Sequence, residues 1–357
     1  MARQIKGVDT VKIFDLIQQL KQPNLESLAS IYVILGQQDY LQRQIREGFI
    51  HLIPADEKTM NYASYDMDTT PLAVALDDAM SAPFFGEHRI VIIENPLFLS
   101  GETKKQKPDH DIEGLIHYLE HPEPTTTLIF FAPYAKLDAR KKVTKRLKKA
   151  AEFVEINQLD ERQIKAYVQN DIKRTGYSIE PNALAELLQR TDADLTLMMA
   201  ELPKLELYCL GTKQIDLSAV DDLVTKTLTQ NVFDLVNDVL SHNTKASVTL
   251  YRQLLEAKEE PLKINAILIG QFRLLIQVKV LSQEGYSQGS LASALKVHPY
   301  RIKLALQMQK KFNLTDLNQA YLGLVDVETK MKSSQTDPEL LFELFMTRFV
   351  DNRVVNH

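Results

Sequence analysis

Five short apolar runs, separated by helical patterns, fill the chain up to about residue 157 and then cease. They are Ile31-Tyr32-Val33-Ile34-Leu35, a shorter run at 62–65, and runs at 89–93, 128–131 and 153–156. Taken together they are continuous rather than alternating in apolar residues, the mark of strands covered on both faces, and intervening helices imply parallel crossovers. The expectation is a mostly parallel, doubly wound α/β domain over residues 1–157, with a solvated Lys-, Asp- and Pro-rich loop at 101–111. Beyond Asn157 only helical periodicity remains, so no further strand is expected. Segments at 159–164, 181–190, 195–210 and 217–224 give a small helical domain at 158–228. Longer amphipathic segments at 232–240, 245–255, 262–281, 298–311, 317–331 and 338–349 give a helix bundle at 229–357. The fold class is therefore multidomain α/β plus α.

A chain of 357 residues, 45% of them hydrophobic, has enough apolar surface to give each part its own core. Lys and Arg number 42 against 47 Asp and Glu, a net charge of -5. The molecule as a whole is thus no electrostatic glove for nucleic acid, and any such contact needs a local patch. The lone Cys209, beside Leu207 and Leu210, reads as a buried structural thiol in a reducing compartment. Met1 to Lys6 lack the apolar run of a signal peptide, and no apolar stretch approaches about 18 residues, so a cytoplasmic location is expected.

One segment fits neither pattern around it. In Met80-Ser81-Ala82-Pro83-Phe84-Phe85-Gly86, two adjacent aromatics follow a proline between a helix striped by Leu72, Ala75, Leu76, Ala79 and Met80 and the strand at 89–93. Burying one such ring stabilises by roughly 1.5–3 kcal/mol. The rings are therefore either tucked under their own domain or an anchor for a partner.

Motifs that would bring chemistry fail on their neighbours. The strand 31–35 ends at Gly36, where a phosphate-cradling loop would need a second glycine and a Lys-Ser or Lys-Thr pair; the chain reads Gly36-Gln37-Gln38-Asp39-Tyr40-Leu41 instead. The third strand ends Ile93-Glu94-Asn95-Pro96, a single carboxylate where a metal-binding acid is usual. Gly285-Tyr286-Ser287-Gln288-Gly289 has the spelling of a nucleophile elbow but follows a helix rather than a strand, so it reads as a helix-to-helix turn. His117 and His121 share a helical face without a third ligand. No catalytic residue, cofactor or metal is expected.

Two basic features remain. Arg140 to Lys149 holds seven cations in ten positions, with Val143 and Leu147 as the packed stripe; Arg140, Lys141, Lys145 and Lys148 are the candidates for DNA phosphate contact. Aromatics do not interleave with them, which argues against stacking on single strands. The stretch from Ser290 to Lys311 has a helix-turn-helix outline and supplies an alternative function, a DNA-binding regulator.

In order along the chain, the residues from Tyr32 to Leu41, those from Met80 to Arg89, Gly270-Gln271-Phe272-Arg273-Leu274-Leu275, and Leu295-Lys296-Val297-His298-Pro299-Tyr300 resemble the delta subunit family of bacterial DNA polymerase III, the clamp-opening member of the sliding-clamp loader. The resemblance covers nearly the whole chain. It implies an AAA+-like domain without a working ATP site, a small helical lid and a C-terminal helical collar. It implies a beta sliding clamp as partner, bound by Phe84 and Phe85 with Met80, Ser81 and Pro83 shaping the loop. It further implies a complex with ATP-binding tau or gamma subunits and delta prime, assembled through the collar and acting on primer-template DNA, with no hydrolysis by this chain.

Overall fold

A computed structural model describes residues 8–21, 28–102, 108–156 and 159–354. It divides into two compact units, Met1–Gln158 and Leu159–His357. The expected boundary at 157/158 falls outside the described residues, and so does part of the expected loop at 101–111.

The first unit runs α1 (Val8–Leu20), β1 (Ile31–Gly36), α2 (Asp39–His51), α3 (Lys58–Asn61), β2 (Tyr62–Asp66), α4 (Leu72–Ala79), β3 (Arg89–Glu94), α5 (Ile112–Glu120), β4 (Thr126–Ala132), α6 (Lys142–Ala150) and β5 (Glu152–Ile156). The five strands form one sheet in the order β2-β3-β4-β1-β5, every pair parallel. All six residues of β1 and all seven of β4 are buried. Their side chains serve both faces. Ile31, Val33, Leu128 and Phe130 pack with Leu72, Leu76, Leu115 and Leu147 from α4, α5 and α6. On the other face Tyr32 meets Phe49 of α2 edge-on at 5.1 Å, and Arg46 of α2 lies 4.8 Å over the Phe131 ring. Two-sided cover explains the continuous apolar runs. The weaker run, β2, is one of the two edge strands and is only half-buried. α1 and α3 have no counterpart in the sequence reading.

The second unit continues with α7 (Glu161–Arg174), β6 (Ser178–Ile179), α8 (Pro181–Arg190), α9 (Leu195–Tyr208), β7 (Gln214–Ile215) and α10 (Leu217–Leu223). β6 and β7 pair in parallel, which corrects the expectation that strands stop after Asn157. Two residues per strand are too few to carry a period. Asp160 caps α7 in a reciprocal capping box with Gln163, and Asp194 and Asp216 cap α9 and α10.

Seven more helices follow: α11 (Leu228–Leu240), α12 (Thr244–Glu256), α13 (Pro261–Gln283), α14 (Gln288–Leu295), α15 (Pro299–Gln309), α16 (Leu314–Ser333) and α17 (Pro338–Val354). Their core gathers Ile264, Leu268, Phe272 and Leu275 of α13 with Val232, Tyr251, Ile302, Leu324 and Phe342 from its neighbours. Tyr251 stacks flat on Phe342 at 4.3 Å. Among the described residues α13 is the one helix long and apolar enough to cross a membrane, so the expectation that no apolar stretch reaches that length is corrected. Its apolar residues are spent on this core, and its buried Asn265 donates to the Leu324 carbonyl at 3.1 Å. The expected boundary at 228/229 lies inside this unit, where His298 reaches the Leu159 carbonyl at 3.3 Å and Lys303 pairs with Glu161 at 2.7 Å.

Candidate functional site

The segment between α4 and β3 is an open loop at the amino end of β3, across the sheet from the carboxyl ends where parallel sheets hold nucleotides. α4 buries Leu72, Ala75, Leu76 and Ala79 and stops at Met80, whose N–H still bonds the Leu76 carbonyl at 2.9 Å. The Ser81 hydroxyl closes the last turn on the Asp77 carbonyl at 2.8 Å, and Pro83 cannot continue a helix. Neither phenylalanine is tucked away. Phe84 is 51% exposed and Phe85 91%, their rings edge-to-face at 4.5 Å, with Met80 exposed beside them. Ser81 is exposed and Pro83 half-buried.

The backbone beneath these rings is anchored. Asn61, fully buried at the end of α3, accepts from the Phe84 N–H at 2.7 Å and donates to the Phe84 carbonyl at 3.1 Å. Phe85 sits at φ +56°, the left-handed region that side chains with a Cβ avoid. Gly86 follows, and a Cβ there would stand 2.3 Å from Glu57 Oε2 and 2.5 Å from Asn61 Nδ2, so a larger residue would push these two side chains aside. Downstream, the Arg89 guanidinium forms an ion pair with Asp78 and donates to the Ala82 carbonyl at 3.4 Å. Sequence reasoning missed Asn61 altogether. Its bond spans 23 positions, and no local pattern marks a side chain that substitutes for a strand.

His88, next along, bonds Thr127 Oγ1 at 2.8 Å, and burial pushes its imidazole below its ordinary range. Burial does the same to His298 in the second unit. Unfolded, both take up a proton near pH 6.5, whereas the folded chain resists it. The unfolded state therefore binds more protons below that pH, so the stabilisation is complete above about 6.5 and is lost as pH falls through the lowered folded values. Thermal unfolding should show a lower Tm at pH 5.5 than at 7.5, and His88→Gln should shrink that difference; an unchanged difference would remove His88 from the account.

At the carboxyl ends of β1 and β3 the chain makes contacts of its own. Gly36 adopts φ +142° and lies so close to β5 that a Cβ would be 2.0 Å from the Ile156 carbonyl oxygen. Gln42 donates its side-chain amide back to the Gly36 carbonyl. Glu94, the carboxylate at the end of β3, is gripped by both terminal nitrogens of Arg46 at 2.7 and 3.0 Å and accepts from the Ser64 hydroxyl at 2.8 Å. Both oxygens of Glu94 are thus already engaged by donors of this chain.

Family models for DNA polymerase III, delta subunit, and for its C-terminal domain match residues 32–157 and 229–349, and a middle-domain model matches 160–222. Over 96% of its length the chain is 34% identical to DNA polymerase III subunit delta of Bacillus subtilis, covering 99% of that protein. This chain belongs to the delta subunit family. The probable delta subunit of Aquifex aeolicus is 26% identical over 76% of the chain and 77% of its own length. The solved structure of the Bacillus subtilis DNA clamp loader delta protein superposes with a TM-score of 0.74, covering 95% of this chain and 99% of that one at 34% identity. As a clamp loader delta subunit it is an accessory part of the polymerase and works within a complex of loader components. Its parallel first unit with helices on both faces is the doubly wound α/β architecture that the sequence implied.

The remaining candidates in this delta subunit are spread apart. Arg140 folds back on Asp138 with two guanidinium bonds, at 2.9 and 2.8 Å, and Lys141 donates to the Phe98 carbonyl at 2.8 Å. Lys142 and Arg146 pair with Glu113 and Glu120. Lys145 and Lys148 stand exposed on α6 and make no ion pair among the described residues. His117 and His121 are exposed with rings 5.6 Å apart, and no cluster of three metal-ligating groups occurs among the described residues. Ser287 caps α14, so its glycine-flanked motif is a helix-to-helix turn. Cys209 is buried, whereas Leu207 and Leu210 beside it are exposed. In the helix-turn-helix outline, α15 buries Tyr300, Ile302, Ala305 and Met308, Lys303 is bound to Glu161, and Arg301 lines a small cavity with Asp192. That leaves Lys296, in the turn before α15, and Lys310 and Lys311, past its last turn, as exposed cations. A recognition helix needs such side chains at its amino end.

Proposed function

We propose that this delta subunit binds the beta sliding clamp through Phe84 and Phe85, with Met80, Ser81 and Pro83 shaping the loop, and opens one interface of the ring without hydrolysing ATP. The observation that carries the reading is a pair of exposed rings on an anchored backbone. Phe85, nearly bare, is the leading anchor, and Phe84 braces it edge-on. A partner shifts a ring between closed and open forms only by binding one form more tightly. Apolar contact made where the ring must part supplies that difference.

The tied-up Glu94 and the closed turn at Gly36 support a chain that leaves hydrolysis to others. Tau or gamma subunits would bind the ATP, and delta prime would complete the assembly. The three-part division at 157/158 and 228/229 into AAA+-like domain, lid and collar follows the spans of the family models. In this reading the collar holds the complex together in the cytoplasm.

The deciding experiment is gel filtration of the chain with purified beta clamp. Co-elution is expected, and its loss in the Phe84→Ala, Phe85→Ala double variant, with the far-UV CD spectrum unchanged, ties it to the loop. Separate elution of the wild-type chain would sink the proposal.

Primer-template DNA would meet α6 at Lys145 and Lys148. Replacing both by glutamate should weaken DNA binding by the assembled loader and flatten its dependence on salt concentration, by roughly one unit of log-log slope for each phosphate left without its cation. An unchanged slope would place the DNA elsewhere.

A further inference from the structure

We infer that Asn61 is the positioning residue of the docking loop: its buried side-chain amide acts as a one-residue strand that holds Phe84 by both peptide groups and so keeps Phe85 raised in its left-handed conformation. The inference rests on the clamp-binding reading of the loop and assigns that site its control element.

The chemistry favours an amide. A carboxamide offers one acceptor and one donor side by side, the same display that a neighbouring peptide unit makes in a ladder. Asn61 immediately precedes β2, which pairs with β3 from Tyr62 opposite Ile90 onward. Its side chain extends that pairing backward into the loop, at 2.7 and 3.1 Å to Phe84. The amide is oriented in turn, because Nδ2 also donates to Glu57 Oε2 at 3.3 Å. Gly86 passes directly over this pair, so a Cβ there would press on both side chains.

The consequence is preorganisation. A phenylalanine at φ +56° relaxes to ordinary backbone angles unless neighbouring bonds hold it. With Asn61 in place the rings are presented ready to dock, and little ordering is left to be done on binding. Without it the loop samples many conformations, few of them competent, and affinity falls with the competent fraction.

The test uses the full chain and purified beta clamp. Asn61→Ala removes the bonds, and Gly86→Ala dislodges the amide from the loop side, where misfolding is less of a risk. In both, hydrogen exchange at the Phe84 amide should rise sharply while the β3 amides stay protected. Clamp Kd should rise on the order of tenfold. In a Phe84→Ala, Phe85→Ala background the same changes should have no further effect, because Asn61 acts through the rings. Unchanged exchange at Phe84, unchanged Kd with the rings present, or an equal loss without them would each overturn the positioning role. If the double ring variant itself binds the clamp as wild type does, the docking reading fails instead. The exchange measurement still judges what Asn61 does to the loop.

Discussion

Phe85→Ala should weaken clamp binding by about 30- to 1,000-fold, the loss of roughly 2–4 kcal/mol that a central aromatic anchor supplies. The magnitude follows from what the ring has left to bury. A phenylalanine can cover on the order of 150–250 Å², and with 91% of Phe85 still open nearly all of that is available to a partner. At about 25 cal/mol per Å² the gross gain is roughly 4–6 kcal/mol, before ordering costs reduce it. Phe84→Ala should cost less in binding, because half of that ring is already covered and its backbone is held by Asn61. Neither change should lower Tm appreciably, since neither ring belongs to the core. Surface plasmon resonance on an immobilised clamp separates the two. Equal affinities for Phe85→Ala and wild type would remove Phe85 as the anchor.

The strands at the centre of the sheet were legible because burial on both faces leaves continuous apolar runs, and β1, β3 and β4 carry them plainly. The long helices were legible for the complementary reason that one stripe packs while the other meets water. β6 and β7 were not, since each contributes two residues to a pairing across more than thirty positions. The same distance hid the rest of the site. Phe84 and Phe85 stood out as misfits, and Glu94 as a weak substitute for a metal-binding acid. The groups that decide their behaviour, Asn61 at 23 positions and Arg46 at 48, are brought to them only by the fold. Charge density overcounts free cations for a related reason. In the cluster from Arg140 to Lys149 several cations are spent on Asp138, Glu113, Glu120 and the Phe98 carbonyl, which a linear count cannot register.

Gly36→Ala should destabilise the first unit by about 2–5 kcal/mol, and the size of the effect decides what this glycine is for. In a phosphate-binding turn a glycine lets the ligand approach the backbone, and a methyl group added to an empty site would scarcely alter stability. Here the space is already taken. The new Cβ would lie 2.0 Å from the Ile156 carbonyl oxygen, which belongs to the paired backbone of β5 and cannot swing aside as a side chain could. Forcing β1 and β5 apart resembles overpacking a core, typically about 1–3 kcal/mol. The backbone at φ +142° adds a further conformational penalty of roughly 1–2 kcal/mol for any residue with a Cβ. The expected result in thermal unfolding is a Tm lower by on the order of 10 °C, with clamp affinity retained at temperatures where the variant stays folded, since the docking loop lies at the other end of the sheet. A variant as stable as wild type would mean that β5 yields easily and that the turn after β1 could open to admit a nucleotide, which would reopen the case for ATP binding by this chain.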